Sequence, residues 1–427
     1  MRSIALDIHP GFCEVAIAQA GAVRQAGRVP TDPKALERFA QSLAPDDEVA
    51  LEATGGAMEV ARIIGPHVAR VVVVHAAEVR AISQARVKSD RFDARTLARL
   101  LEADMLAAVW IPDRESGALR RRIGRRSALV RQRTRAKNEV HGAIARCLLN
   151  HPHSDLFGKA GRAWLARQEL PGAERETVEG CLRQVDFLCA EIEAVDRKLA
   201  EHALRSPEVR RLMTIPGVDL VTASTLWAAI GDIRRFSSPR QLVAYLGLDP
   251  MVRQSGEGPA RGGRISKRGN SGARHVLVEA AWQATRTAGP LRAFGERLRA
   301  RRGKQVAAVA VARKLAVICW HMLTRGEDYA YGRPSLTRQK LRRAERTAGA
   351  PRLPTRPGSG RVGSAAAERE AEQDLQRQAE LAYRRRVADW QATGQRKAGA
   401  GATPGRASSG SQGAAARQTD KPQTPAL

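Results

Sequence analysis

Aromatic residues are scarce in this chain, at 4% of the total. A core of large rings is excluded, so packing falls to Ala, Leu and Val, which suits helices. Cysteine is scarce too. Cys13, Cys147, Cys181, Cys189 and Cys319 are scattered and form no C-x-x-C pair. That spacing argues against a zinc site, and the odd count suits a reducing cytoplasm. The N-terminus runs into a strand-like segment without a signal-type apolar region. No run of about 18 apolar residues marks a membrane span. Acidic residues are in deficit: 44 Asp and Glu stand against 72 Lys and Arg in 427 residues, a net charge of +28. The expectation is a cytoplasmic protein without membrane contact and with a polyanionic partner, most simply nucleic acid. On DNA it would be nucleoid-associated.

Against that deficit, four acids stand out. Asp7 interrupts the apolar run Ser-Ile-Ala-Leu-Asp-Ile, and Glu52 ends Glu-Val-Ala-Leu-Glu. Asp90 and Asp93 follow at a helical i,i+3 spacing in Lys-Ser-Asp-Arg-Phe-Asp-Ala. A carboxylate that interrupts or ends an apolar strand is costly unless something pairs with it. In a basic chain, the reason to gather four is a divalent cation facing a phosphate backbone. An all-carboxylate set favours Mg²⁺, or Mn²⁺, over zinc. The plainer reading makes Asp90 a helix cap, Asp93 an ion-pair partner of a neighbouring arginine, and Glu52 a cap of the helix after it.

The chain divides by composition. Residues 1–112 read as an α/β domain in the order βββαβαβα, with strands at 3–8, 13–20, 22–29 and 48–52. The run Val71–Val74 suits a strand covered on both faces. Residues 113–206 read as a long helical, coiled-coil-like region. Its helix at 116–149 carries Arg120, Arg121, Arg125 and Arg126 on a basic face, a candidate nucleic-acid surface. The helix at 174–204 has apolar residues at spacings of three and four, with Asp196 breaking the seam. The two helices are expected to pair with each other or with a second protomer. Residues 207–330 read as a mostly helical domain. Its Ile215-Pro216-Gly217-Val218 turn resembles a helix-hairpin-helix able to hold a phosphate on backbone N–H groups. A Gly/Arg-rich loop spans about 252–272. Residues 331–427 are Pro-, Gly-, Ser-, Ala- and Arg-rich and are expected to be a disordered basic tail, with an isolated helix at 364–392.

Taken together, Ala-Leu-Asp7-Ile, Ala-Leu-Glu52-Ala-Thr-Gly-Gly and Lys-Ser-Asp90-Arg-Phe-Asp93-Ala resemble the DEDD signature of the IS-one-ten family of insertion-sequence transposases. The later Ile-Pro-Gly-Val, Ala-Tyr-Leu-Gly-Leu-Asp-Pro, Gly-Arg-Ile-Ser-Lys-Arg-Gly-Asn and Val-Glu-Ala-Ala-Trp segments are similar to that family's C-terminal domain. The resemblance covers residues 3–325 in order. It implies an RNase H/RuvC-like first domain whose four acids bind Mg²⁺, and a serine nucleophile in the C-terminal domain. It also implies recombination of DNA guided by a structured bridge RNA, by a multimer, either dimer or tetramer. Two departures exist: His9-Pro10 stands where many members carry Ser-Lys, and Gln254 precedes the serine where many carry a second serine.

The matching serine is Ser255, in Arg-Gln-Ser-Gly-Glu; Ser266 and Ser271 are its neighbours. Attack by serine at neutral pH needs activation. Arg253, Arg261, Arg264, Lys267 and Arg268 surround the loop and can neutralise a phosphate. Two other readings compete. One is a junction-resolving metal nuclease that uses water, and the other is a non-catalytic nucleic-acid-binding protein.

Overall fold

A computed structural model describes residues 1–75, 90–253, 261–351 and 361–400. It forms two compact units, residues 1–203 with 224–233, and residues 204–223 with 234–427.

The first unit begins with a five-stranded sheet in the order β3-β2-β1-β4-β5. Its strands are β1 Ser3–Ile8, β2 Phe12–Gln19, β3 Ala22–Pro30, β4 Glu48–Glu52 and β5 Arg70–Val74. β1, β2 and β3 are antiparallel; β4 runs parallel to β1, and β5 to β4. This is an RNase H-like order. Ala20 and Gly21 both take positive φ, 51° and 80°, as a two-residue hairpin between right-twisted strands requires.

Side-chain alternation sends each strand's residues to two different cores. Ile4, Leu6, Val49, Leu51 and Val73 pack beneath helices α1 Pro33–Gln41 and α2 Ala57–Ile64. On the other face Ala5, Ala16, Ala18, Ala50, Val72 and Val74 meet helix α3 Asp90–Glu102 through Ala94, Leu97, Ala98 and Leu101. The small alanines let α3 lie close to the sheet. The four valines of β5 divide between the two faces, as a doubly covered strand should.

Helices α4 Arg114–Arg146, α5 Lys159–Arg167 and α6 Gly172–Arg205 follow. Asp113 caps α4 by accepting the Ser116 amide at 2.8 Å. α4 and α6 pair antiparallel within one protomer. Leu119 meets Leu199, Leu129 meets Leu188 and Ile192, and Val140 and Ile144 meet Val178, Cys181 and Val185. Asp196, the break in the apolar seam, is paired with Arg126.

The second unit is mostly helical. It contains α7 Pro207–Leu212, α9 Pro239–Tyr245, α10 Ser271–Ala284, α11 Pro290–Arg302, α12 Lys304–Arg325, α13 Pro334–Thr347 and α14 Arg361–Ala400. Helix α8 Leu220–Ile230 is divided between the two units. α12 is long and apolar enough to cross a membrane by composition, yet Val311, Leu315 and Cys319 are buried in the fold and Arg313 and Lys314 interrupt it.

Two expectations need correction. The segment expected as a loop at 252–272 contains strand: β6 Pro250–Arg253 pairs with β7 Arg261–Ile265 in a two-stranded sheet. Within the expected tail, 334–347 is also helical, and the helix expected at 364–392 spans 361–400 and is docked rather than isolated. Their docking is mainly polar, so a search for apolar cores passes over it. Glu372 accepts the Ser335 amide at 2.7 Å, Gln376 donates to the Tyr331 carbonyl at 3.1 Å, and Glu380 accepts the Gly289 amide at 3.0 Å. Glu372 and Glu380 thereby cap the N-termini of α13 and α11. Burial disfavours both carboxylates, but these donors and the arginines beside them hold both below the usual range.

Candidate active site and nucleic-acid interface

The β1–β4 register runs from Ser3 opposite Glu48 to Leu6 opposite Leu51. Its constant offset makes Asp7 and Glu52 the next residues, side by side at the C-terminal ends of two parallel strands. That end of an open sheet is where ligands bind in α/β folds. Asp7 shares its face with Ala5, the face α3 covers. Its side chain is 13% exposed, and its Oδ2 lies 3.2 Å from His9 Nε2. Glu52 is no helix cap: α2 starts at Gly56 without a side-chain cap. Asp90 and Asp93 occupy the first turn of α3. Their side chains lie outside the described residues.

A further acid escaped the sequence reading. Glu14 of β2 is 2% exposed, its Oε1 accepting Gln25 Nε2 at 2.8 Å and its Oε2 accepting Arg28 Nε at 2.7 Å. A glutamate between Cys13 and Val15 in an apolar strand was the available signal. Among the described residues no three Asp, Glu, His or Cys side chains converge into a metal cage. The adjacent pair Asp7 and Glu52 nevertheless offers the hard oxygen donors a divalent cation takes.

Ser255 lies outside the described residues, but what holds its loop is visible. The β6–β7 pairing ends at Arg253 opposite Arg261, two residues before the serine. Behind it, two sequence motifs lock backbone to backbone. The Lys267 amide donates to the Gly247 carbonyl at 3.2 Å, and the Asn270 amide to the Tyr245 carbonyl at 3.2 Å. Gly269 has φ +132°, and a Cβ there would lie 2.1 Å from the Tyr245 oxygen. Only glycine fits that approach. Asn270 then caps α10 through the Ala273 amide at 2.9 Å. Ser266 is already engaged, its hydroxyl on Asp249 Oδ1 at 2.6 Å. Arg264, Lys267 and Arg268 are exposed; the side chains of Arg253 and Arg261 lie outside the described residues.

Comparison with known proteins gives this geometry its family. The pattern described as the IS116/IS110/IS902 transposase family matches residues 209–296, and a DEDD transposase pattern of the same group matches residues 4–148. A Pseudomonas aeruginosa protein named as a probable family 20 transposase is 31% identical over 263 residues, 58% of this chain and 76% of that one. The chain belongs to the IS116/IS110/IS902 transposase family. The transposase for insertion sequence element IS1328 of Yersinia enterocolitica is 29% identical over 291 residues, 66% of this chain and 85% of that one. The protein y4qE of Sinorhizobium fredii, named as a transposase, is 37% identical over 198 residues, 46% of this chain. The match spans about half of y4qE, 48% of its length. Transposases are enzymes of DNA transposition, so the reaction class and a DNA substrate follow from membership. The DEDD domain implies a divalent metal.

The basic helix of this transposase is more divided than its sequence suggests. Arg120 donates from Nε to the Ala228 carbonyl at 2.6 Å and from Nη2 to the Ala229 carbonyl at 2.9 Å, and it stacks on Trp110 at 4.7 Å. It closes the C-terminal end of α8. Arg126 is bound to Asp196, and Arg125 lies 3.2 Å from Glu191. Arg121, Arg122, Arg131 and Arg135 remain exposed on α4. At the Ile-Pro-Gly-Val turn, Asp219 Oδ1 accepts the Thr222 amide at 3.0 Å. A carboxylate thus takes one of the α8 N-terminal donors that a phosphate would use.

Proposed function

We propose that this transposase cuts and rejoins DNA with Ser255 as nucleophile and with Mg²⁺ held by Asp7, Glu52, Asp90 and Asp93. The observation that carries the reading is the placement of Asp7 beside Glu52 under α3, whose first turn holds the other two acids. The resemblance of the Ser255 loop to the family's serine supports the rest. The bound cation would supply Lewis-acid stabilisation of phosphate oxygens. Ser255 Oγ displaces a strand's 3′ oxygen from phosphorus and leaves a serine-linked 5′ phosphate; a second 3′ hydroxyl then displaces the serine. Each step breaks one P–O bond and makes one, so rejoining needs no added energy source. Arg264, Lys267 and Arg268 neutralise the phosphate as it approaches, with Arg253 and Arg261 beside them. The exposed arginines of α4 hold nucleic acid, including a bridge RNA from the element, and the active form is a homo-oligomer.

The test uses purified protein, the RNA that co-purifies with it, and DNA carrying the flanks of its gene. Ser255→Ala should bind DNA but lose both cutting and joining. Full cutting by that variant would replace this reading with a metal nuclease using water. A protein without any specific RNA would remove the guide.

A further inference from the structure

The Ile-Pro-Gly-Val turn closes on a single side chain from outside the matched domain. Lys340 of α13 donates from Nζ to the carbonyls of Met213 at 2.7 Å, Ile215 at 2.8 Å and Val218 at 2.8 Å. An ammonium has three hydrogens, and the three carbonyls take all of them. Met213, Ile215 and Val218 are all buried, at no more than 1% exposure. Without the lysine, the Met213 and Val218 carbonyls would lose that donor in the interior, at a cost for each, while the Ile215 carbonyl would keep the Val218 amide at 3.1 Å. Two of them belong to the end of α7 and its exit, where the helix dipole favours a positive charge.

The geometry around the turn leaves it little freedom to adapt. Gly217 has φ +83°, and a Cβ there would lie 2.7 Å from the Ala280 oxygen of α10. The Tyr329 amide donates to Thr214 Oγ1 at 3.0 Å. The turn that carries the carbonyls is therefore contacted by neighbours on both sides. Main-chain carbonyls converging on one positive charge are also the ligands that replace water around a monovalent metal cation.

We propose that Lys340 is a tethered cation for the hairpin turn, filling a carbonyl site that accepts free K⁺ or Na⁺ once the lysine is removed. Burial pulls this lysine down to about 8, against the opposing attraction of Asp219, so the charge is still present at neutral pH. Lys340 is a positioning residue. It fixes the path of residues 213–218 and, if the turn contacts DNA as its helix-hairpin-helix resemblance implies, the donors presented to phosphate. That last clause alone rests on the function proposed above.

The experiment compares thermal unfolding of the full chain in KCl, NaCl and tetramethylammonium chloride at equal ionic strength. The wild-type protein should melt at the same temperature in all three. Lys340→Met, which keeps the aliphatic stem, should melt lower in the bulky cation and recover saturably in KCl or NaCl. A Lys340→Met protein indifferent to cation identity, or as stable as wild type, overturns the proposal. If that variant does not fold in tetramethylammonium chloride, its refolding yield in KCl provides the same readout, with Lys340→Gln as the second variant. DNA affinity in the same salts separates the two readings. Cation-dependent melting with unchanged affinity supports the tethered cation and removes the turn from the DNA surface.

Discussion

Glu14 stands directly across from Asp7 in the antiparallel pairing of β1 and β2. With Glu52 on the other side of Asp7, three neighbouring strands each place an acid at one end of the sheet. Like charges so placed raise one another's cost. Their roles differ, because Glu14 is committed to Gln25 and Arg28. Asp7→Asn and Glu52→Gln should each lower metal-dependent cleavage by roughly 100-fold or more, with metal-free melting unchanged or raised. Glu14→Gln should cost less than about tenfold in cleavage and about 1 kcal/mol in stability. Cleavage assays with a divalent-metal titration, paired with melting curves, check all three. Equal activity loss for Glu14→Gln would place that residue among the ligands.

Arg120 and Arg121 are sequence neighbours with opposite prospects. Arg120→Ala removes two carbonyl bonds and a stack on Trp110, and should cost about 2–3 kcal/mol in stability. Arg121→Gln with Arg131→Gln should leave melting unchanged and lower the log–log salt slope of nucleic-acid binding by about 2. Filter binding over a range of salt decides it. A salt slope that moves only with Arg120 would put the interface elsewhere.

Asp47 fixes the N-terminal ends of β1 and β4. It is 1% exposed and accepts the Arg2 amide at 3.2 Å, Arg2 Nε at 2.9 Å and the Ala44 amide at 2.8 Å. Burial disfavours its charge, but these bonds outweigh that and hold it below the ordinary carboxylate value. Asp47→Ala should cost about 2–3 kcal/mol, because the remaining Arg2 is partly exposed to water. The sign follows from the lowered folded value. The stabilisation is complete above the unfolded value near 4 and is lost as pH falls through the folded one. Melting curves of wild type and variant should converge in acid; a gap that widens there would contradict the assignment.

Glu372 and Glu380 hold α14 down through two helix N-termini. Glu372→Gln with Glu380→Gln should weaken that docking by about 1–2 kcal/mol per site. Trypsin should then cut within 361–400 several-fold faster while the remainder of the unit resists. Unchanged cutting rates would mean the helix is held by something else.

The N-terminal sheet was legible because its alternation is clean: Ile4 and Leu6 go one way, Ala5 and Asp7 the other. The side-by-side placement of Asp7 and Glu52 followed from the strand order. Glu14 was not legible, since a committed acid and a solvated one look alike until Arg28 is seen beside it. The basic run on α4 was legible as charge but not as surface. Arg120 finds its carbonyls 108 residues further on, and Arg126 its aspartate 70 residues on. The tail's helix was legible but its docking was not, for a related reason. Its docking uses carboxylates and backbone donors, and composition registers only apolar content.

The antiparallel helices α4 and α6 span 33 and 34 residues. At about 1.5 Å per residue each is roughly 50 Å long, which at 3.4 Å per step is about fifteen base pairs of duplex. On the proposed function, where the exposed arginines of α4 hold nucleic acid, the helix pair sets a fixed reach along the strand. Seven residues added to each helix would lengthen it by roughly three base pairs and keep its faces nearly aligned, whereas five would rotate those faces by about 140°.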